Sequence, residues 1–339
     1  MHIIATIGPK SINKWVVKEF IENGVDILRL NCSHFDKKNF EQIIKYAKYI
    51  KKDIKIMVDL CGKKVRISNE FKYIFTVYNG QEVHFCGEDL YKTLDLEYVK
   101  QNFIVPLNVD SEKLRKSNIQ KFSMKDNTMN FNIIDIKNGV IKTKVLKGGV
   151  IRAGKGCNIF EIYNEEELSI IDKEHITWAL QNEVDIICQS FVEDRSNLKI
   201  IKNFIKESDF KGEIWAKVET PTGIKNIEEI LEETNNIVIG RGDLVPESDI
   251  FNCIKLQYEA INKIKNNNKK VIIATHILNS MKDGFSITLP EVECIYNFIK
   301  INIDGFLLAG ETSIGKAPIK TVKMLKSAIK YYSSNDEQI

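Results

Sequence analysis

The sequence lacks closely spaced cysteine pairs. Its seven cysteines are odd in number and scattered, and none forms a Cys-x-x-Cys pair. This pattern favours reduced thiols in a cytosolic compartment over a disulfide framework or a zinc site. The residues are Cys32, Cys61, Cys86, Cys157, Cys188, Cys253 and Cys294.

Targeting signals and a strong charge bias are also missing. The N-terminus has no charged region followed by a long apolar run, so it does not indicate a signal peptide. No stretch approaches the roughly 18 to 20 apolar residues of a membrane span. The net charge is only +3, from 49 basic and 46 acidic residues, which argues against a nucleic-acid binder. We therefore expect a cytoplasmic protein without membrane or nucleic-acid partners.

What is present is a long, ordinary globular chain of 339 residues. Apolar residues make up 43% and charged residues 28%, as in a typical soluble domain. This length predicts two domains, or one large barrel with an insertion.

Eight short apolar runs, rich in Ile and Val, alternate with helix-length amphipathic segments. Such runs indicate strands buried on both faces, and the alternation predicts parallel strands with right-handed crossovers. The fold class is therefore α/β, with a (β/α)8 barrel as first choice and an open doubly wound sheet as the alternative. Strand count favours the barrel, and no Gly-x-Gly-x-x-Gly follows the first strand. The runs cover residues 3–8, 26–31, 54–60, 184–191, 213–219, 236–243, 270–275 and 304–311.

The alternation is interrupted between the third and fourth runs. Residues 66–158 contain shorter β-like pieces separated by turn signals such as Asn79-Gly80 and Asn138-Gly139. This predicts a small all-β lid domain inserted into a barrel made of residues 1–65 and 159–339. The polar, basic stretch 90–123 predicts no particular element.

Polar residues at the predicted strand ends are the candidate site, because barrel active sites lie at the carboxyl ends of the strands. Lys217 and Glu219 point to the same side of their strand, into the barrel mouth. A buried ion pair would explain them alone, but Asp243 and Glu311 add acid at the same face. This set suits Mg²⁺ or Mn²⁺ and a phosphorylated or enolic substrate.

The histidines carry a weaker signal. His34 and His276 follow strand ends and stay candidates for function. His2, His84 and His175 are isolated in the sequence, and we interpret them as surface or packing residues.

At these residues the chain resembles the pyruvate kinase family, from residue 1 to about residue 330. The family's lid domain corresponds to the inserted region, where Asp126 is the candidate acidic residue. The similar segments are ATIGPKS (5–11), DILRLNCSH (26–34), VDLCGKKVRI (58–67), WAKVE (215–219), GRGDL (240–244), IIATHILNSM (272–281) and AGETSIGKAP (309–318).

The resemblance implies phosphoryl transfer from phosphoenolpyruvate to ADP, followed by protonation of the enolate to pyruvate. It implies that Lys217 stabilises the transferring phosphoryl group, that Glu219 and Asp243 bind the divalent metal, and that Arg29 and Arg66 contact phosphate. These are expectations carried over by position.

The same resemblance implies binding roles for further residues. Thr275 would lie near the substrate carboxylate and the enolate, with Gly242, Asp243 and Ser190 as further substrate contacts. The nucleotide side would include Pro9, Asn31, His34 and Arg66, and Asn31, Ser33 and Asp59 match a monovalent-cation site.

Departures from the family pattern change two expectations. Leu60, Lys64 and Ile67 replace a Thr, a Glu and a Thr of the potassium-dependent members. The Lys64 ammonium can supply the charge of K⁺, so we expect no K⁺ requirement. Ala309 replaces a Ser thought to relay the proton, and Ile314 replaces a Lys, so the protonation step is open to change. In the same loop, Cys61 and Lys63 replace a Lys and a Pro.

Two other interpretations stay open at the level of sequence. One is metal-stabilised enolate chemistry on another 2-oxo acid, as in an aldolase or lyase, or transfer to another acceptor. The other is a catalytically weak protein that binds phosphoenolpyruvate or nucleotide. The family's C-terminal regulatory domain has no counterpart in the sequence, so we expect no sugar-phosphate regulation and a smaller or weaker homo-oligomer, a dimer or a tetramer.

Overall fold

The structure is a computed structural model that describes residues 1–117, 119, 122–124, 128–159, 168–284 and 286–334. Within these residues it has the following strands: β1 His2–Thr6, β2 Ile27–Asn31, β3 Lys55–Asp59, β4 Phe75–Val77, β5 Glu82–Gly87, β6 Ile104–Leu107, β7 Phe122–Met124, β8 Met129–Lys137, β9 Val140–Lys147, β10 Gly149–Ile151, β11 Cys157–Ile159, β12 Ile186–Gln189, β13 Glu213–Val218, β14 Asn236–Gly240, β15 Lys270–Ala274 and β16 Gly305–Leu308.

The helices connect and cover these strands. They are α1 Lys14–Glu22, α2 Lys37–Ile50, α3 Glu88–Tyr91, α4 Leu96–Gln101, α5 Ser111–Lys116, α6 Ile170–Leu180, α7 Arg195–Ile205, α8 Pro221–Lys225, α9 Ile227–Leu231, α10 Arg241–Glu247, α11 Ile250–Asn266, α12 Ser280–Asp283, α13 Leu289–Lys300, α14 Gly310–Ser313 and α15 Pro318–Ser334.

Eight parallel strands close into a barrel in the order β1-β16-β15-β14-β13-β12-β3-β2. The closure is made by β1 and β16, where His2 pairs with Gly305 and Ala5 with Leu308. This confirms the predicted (β/α)8 barrel and excludes the open sheet. The predicted runs extend slightly beyond some strands, because residues 190–191 leave the sheet and residues 241–243 already begin α10.

The barrel interior is filled by one or two inward-facing residues from each of the eight strands. Such a layer is typical of these barrels, in which every second residue of a strand points inward. The buried cluster consists of Ile4, Ile27, Met57, Ile186, Cys188, Trp215, Val238, Ile272, Ala274 and Leu307. Two residues further along three of these strands stand Arg29, Asp59 and Lys217. The pleat therefore places these three charged side chains directly above the apolar core.

The chain divides into two compact units, and the barrel unit comprises Met1–Gly62, Glu166–Leu244 and Phe251–Ile339. Its helices begin at well-capped positions. Asp194 accepts hydrogen bonds from the first turn of α7 in a capping box, and Thr288 with Glu291 forms another at α13. No described helix combines the length and the apolar character needed to cross a bilayer.

The second unit comprises Lys63–Glu165 and Val245–Ile250. It has a six-stranded sheet in the order β11-β7-β8-β9-β5-β6 and a pair formed by β10 and β4. Asn138 and Gly139, both with positive φ, turn the chain between β8 and β9, as their sequence signal predicted. The stretch 90–123 contains α4, β6 and α5, elements too short for a periodic pattern to reveal. Asp126 lies outside the described residues.

Candidate active site

A buried ion cluster lies at the carboxyl ends of β2, β3 and β13. The Arg29 guanidinium donates to Asp59 Oδ2 from Nε at 2.7 Å and also from its terminal nitrogen. Lys217 Nζ donates to the two oxygens of the same carboxylate at 3.0 and 2.9 Å. Arg29 also donates to the Thr6 hydroxyl at 2.8 Å. One carboxylate thus holds two cations that come from different strands.

This cluster stays ionised at neutral pH. Burial alone would raise the pKa of Asp59, but Arg29 and Lys217 outweigh it and lower that pKa to about 2. Burial would lower the pKa of Lys217, whereas Asp59 and Glu219 raise it above its usual value. Lys217 is therefore a permanent positive charge in the barrel mouth.

Glu219 is nearly buried, with 3% exposure, and is held from two sides. The Phe191 amide donates to its Oε2 at 3.2 Å, and Lys217 Nζ lies 3.7 Å from its Oε1. Gly240 allows this position, because a Cβ atom there would lie 2.5 Å from Glu219 Oε1. The Glu219 carboxylate therefore rests against the backbone of β14.

Asp243 follows Gly240 by three residues, in the first turn of α10, and is partly exposed. Mg²⁺ is commonly held by one or two carboxylates together with substrate oxygens and water. Glu219 and Asp243 offer oxygen donors from two adjacent strand ends, and the first of them is buried and preformed. The chemistry of this donor set fits a small hard divalent cation.

The loop after β15 has a strained backbone. Thr275 and His276 have φ of 65° and 51°, a conformation that is unusual for a β-branched residue such as Thr275. Arg241 stabilises the loop by donating from Nε to the Thr275 carbonyl at 3.1 Å, and again from its terminal nitrogen. A Cβ on Gly242 would lie 3.4 Å from the Thr275 side chain. Strain of this kind is concentrated at functional sites.

Sequence reasoning assigned no role to Arg241 or to Thr6. Both act through long-range contacts, and no local spacing reveals them. Arg241 is buried beneath the Thr275 loop, and its guanidinium lies 5.4 Å from the Phe298 ring centroid. The strand-end position of Arg241 was the one available signal.

Ser190 was predicted to contact substrate, and the structure places it against Asp59. Its hydroxyl lies 3.0 Å from Asp59 Oδ1 and 2.7 Å from the Leu60 carbonyl, and the residue is buried. In this arrangement Ser190 supports the ion cluster from the side of β12.

The predicted monovalent-cation residues lie on the neighbouring strand ends. Asn31 is paired with Asp59 in the β2–β3 register, and its side chain accepts a hydrogen bond from the Ser33 amide at 3.1 Å. Both oxygens of Asp59 are engaged by Lys217. His34 and Pro9, predicted on the nucleotide side, are exposed.

Lys64 and Arg66 belong to the second unit. Lys64 is 9% exposed and passes so close to Gly156 that a Cβ there would lie 2.5 Å from Lys64 Cε. Arg66 is held through its backbone, which forms a β-bridge with Gly156. The Arg66 amide also donates a hydrogen bond to Asn108 Oδ1 at 2.7 Å.

The chain forms a closed (β/α)8 barrel with paired cations and carboxylates at the strand ends, which is where the active sites of such barrels lie. The family model "Pyruvate kinase, barrel domain" matches residues 1–322. The chain belongs to the pyruvate kinase family.

Similar curated proteins carry the same description. The chain is 29% identical to a pyruvate kinase of Thermoplasma acidophilum, over 97% of this chain and 57% of that protein. It is 28% identical to pyruvate kinases of Staphylococcus epidermidis, over 96% of this chain and 55% of that protein, and of Thermotoga maritima, over 97% and 70%. The chain thus spans little more than half the length of the first two relatives.

Proposed function

We propose that the chain transfers the phosphoryl group of phosphoenolpyruvate to ADP, giving ATP and pyruvate, with a divalent metal and without K⁺. The observation that carries this proposal is the ion cluster in which Asp59 holds Arg29 and Lys217 above the barrel core. Family membership supports the reaction, and the cluster supports the roles of the individual side chains.

The charge balance at the site favours a metal-assisted reaction. Arg29 and Lys217 are matched by Asp59 and Glu219, so these four groups sum to zero, and Asp243 adds a further negative charge. Phosphoenolpyruvate, with its enol phosphate and its carboxylate, adds more negative charge. Mg²⁺ or Mn²⁺ at Glu219 and Asp243 supplies the positive charge that the substrate needs there.

Within this proposal, the protein groups bind, orient and neutralise. Lys217 and Arg29 are held rigidly by Asp59, so they neutralise the transferring phosphoryl group without reorganising. The Gly242 and Asp243 amides face the substrate carboxylate, and Thr275 lies at the enolate. On the acceptor side, Pro9, Asn31 and His34 are the proposed residues of the barrel unit, and Arg66 keeps the phosphate-contacting role that the family resemblance implies.

The experiment measures ATP and pyruvate after incubation with phosphoenolpyruvate, ADP and Mg²⁺ in the absence of K⁺. We expect equal amounts of the two products. The substitution Lys217→Met should lower kcat by at least about 100-fold, because it removes a preorganised charge at the transferring group. Lys225→Met is the matched control, since Lys225 is exposed at the end of α8.

The outcomes separate the alternatives. Consumption of another 2-oxo acid with release of an aldehyde, and without ATP formation, would support an aldolase or lyase. The feature that favours this alternative is Ala309, which stands where the family has a serine. Binding of phosphoenolpyruvate without turnover would support a binding protein. Full activity of Lys217→Met would contradict the assigned role of Lys217.

The independence from K⁺ rests on two features. Asp59 is already neutralised by two cations, which leaves it little need for a monovalent ion. Lys64 places an ammonium group at a position where, by the family resemblance, potassium-dependent members have a Glu. The rate should stay level when KCl replaces another chloride salt at constant ionic strength. Lys64→Glu should introduce K⁺ activation, whereas Lys63→Glu, the same charge change one residue earlier, should not.

We further propose that the inserted unit acts as a lid, since its chain leaves the barrel just after β3, at the carboxyl end where barrel active sites lie. Hydrogen exchange of residues 66–158 should slow when phosphoenolpyruvate and Mg²⁺ are added together. Unchanged exchange throughout this region would contradict the lid role.

A further inference from the structure

A second group of possible metal ligands lies outside the ion cluster. Cys61 Sγ, a carboxylate oxygen of Asp172 and a ring nitrogen of His175 lie within 4.8 Å of one another. Cys61 follows β3, and the other two residues are on α6, three positions apart and therefore on one helix face. The three side chains come together only because α6 packs beside the loop that follows β3.

Asp172 is already held in a fixed orientation. Its Oδ1 accepts the Cys61 amide at 3.0 Å and its Oδ2 accepts the Gly62 amide at 3.1 Å, and the residue is 2% exposed. A carboxylate has about four acceptor sites, so these bonds leave capacity for a cation. Metal-bound carboxylates are characteristically oriented by hydrogen bonds of this kind.

His175 supplies an independent indication of a ligand. It is 6% exposed, and its Nδ1 atom is buried with no hydrogen-bond partner among the described residues. Phe35 packs against the ring with a centroid distance of 4.4 Å and fixes its orientation. Burial lowers the pKa of His175, which favours the neutral, ligating form. A buried ring nitrogen without a partner calls for an explanation, and coordination provides one.

We propose that Cys61, Asp172 and His175 form a binding site for Zn²⁺. Sulfur, nitrogen and oxygen donors together suit this borderline-soft ion, whereas Mg²⁺ demands oxygen. Tetrahedral zinc with bonds of about 2.0 to 2.3 Å places its ligand atoms roughly 3.5 Å from one another. Binding therefore requires the three ligand atoms to move about one ångström closer together. The half-exposed Cys61 can make that adjustment and releases its thiol proton to water. Three protein ligands leave the fourth position to a water molecule.

Occupancy of this site ties α6 to the loop after β3. Cys61 stands two residues beyond Asp59, so Zn²⁺ would stiffen the segment that carries the shared carboxylate. The proposal concerns metal binding and does not depend on the proposed reaction.

The test uses the whole protein, stripped of metal with a chelator and kept reduced, and titrated with ZnCl₂ in excess Mg²⁺. We expect one Zn²⁺ per chain. Cys61→Ser and His175→Phe, which keeps the packing on Phe35, should each weaken binding by more than about 100-fold, because even outer partners of a metal are worth roughly 10- to 100-fold. Cys294→Ser is the matched control and should bind as the parent does.

Co²⁺ gives a second readout that is specific for sulfur. Titration with CoCl₂ should produce a thiolate-to-metal charge-transfer absorption that disappears in Cys61→Ser. The thermal melting curve of Cys61→Ser checks that this substitution leaves the fold intact. Zinc binding that survives Cys61→Ser but is lost in Glu219→Gln would assign the ion to the carboxylate pair and overturn the proposal. Absence of both zinc binding and the absorption band would overturn it as well.

Discussion

Replacement of Asp59 by Asn tests the central claim that one carboxylate neutralises two buried cations. The substitution keeps the size of the side chain but leaves Arg29 and Lys217 without their shared counter-charge. Glu219, 3.7 Å from Lys217, is then the remaining partner that the lysine has in this cluster. Removal of one member of a buried ion pair costs about 3 to 5 kcal/mol.

The pKa of Asp59 gives the order of this magnitude. It falls from 3.8 to about 2 on folding, which corresponds to about 2 kcal/mol of linked stability. Because the pKa of the folded state is depressed, this stability is present above pH 4 and is lost as the pH falls towards 2. The advantage of the parent over Asp59→Asn should therefore be largest near neutral pH and shrink in acid.

Urea unfolding at several pH values between 7 and 3 measures the loss of stability and its dependence on pH. We expect the free energy of unfolding at pH 7 to drop by at least about 2 kcal/mol and the midpoint of thermal unfolding to fall by several degrees. The matched control is Asp53→Asn, an exposed carboxylate just before β3. If Asp59→Asn is as stable as this control, or if its deficit is the same at pH 7 and pH 3, the ion cluster does not have the energetic role described here.

Three further predictions follow from local geometry. Gly240→Ala should displace the Glu219 carboxylate, so the Mg²⁺ concentration for half-maximal activity rises at least several-fold. Thr275→Gly should be more stable than Thr275→Ala by about 1 kcal/mol in urea unfolding, because only glycine relieves the positive φ. A thiol reagent followed by mass spectrometry should label Cys61 and Cys294 first, since the other thiols are buried; early labelling of Cys188 would contradict this.

The barrel could be predicted because its signal is local. Most barrel strands are short apolar runs, and several helices, such as α2 and α7, have an amphipathic period, so the repeated strand–helix alternation predicted the barrel. The charged side chains above the core followed from strand alternation, as with Lys217 and Glu219. Short elements such as α4 and α5 left no period to detect, and they were missed.

The contacts between distant segments could not be predicted. Asp172 binds the amides of Cys61 and Gly62 across more than a hundred residues of chain. His175 was interpreted as a surface or packing residue because it is isolated in the sequence, and in the structure it is buried and packs against Phe35. Arg241 supports the Thr275 loop from a neighbouring strand. Only the order of strands in the barrel brings these groups together.

The shared position of Asp59 has a consequence for directed evolution of this chain. Under the proposed function, the two oxygens of Asp59 both stabilise the fold and hold the two cations of the site, so screens for heat resistance and screens for catalysis should both preserve this carboxylate. At Thr275 the two screens should select different residues. Glycine adopts the positive φ of this position without strain, which favours stability, but it lacks the threonine hydroxyl. The two positions together offer a simple diagnostic of which pressure a laboratory population has experienced.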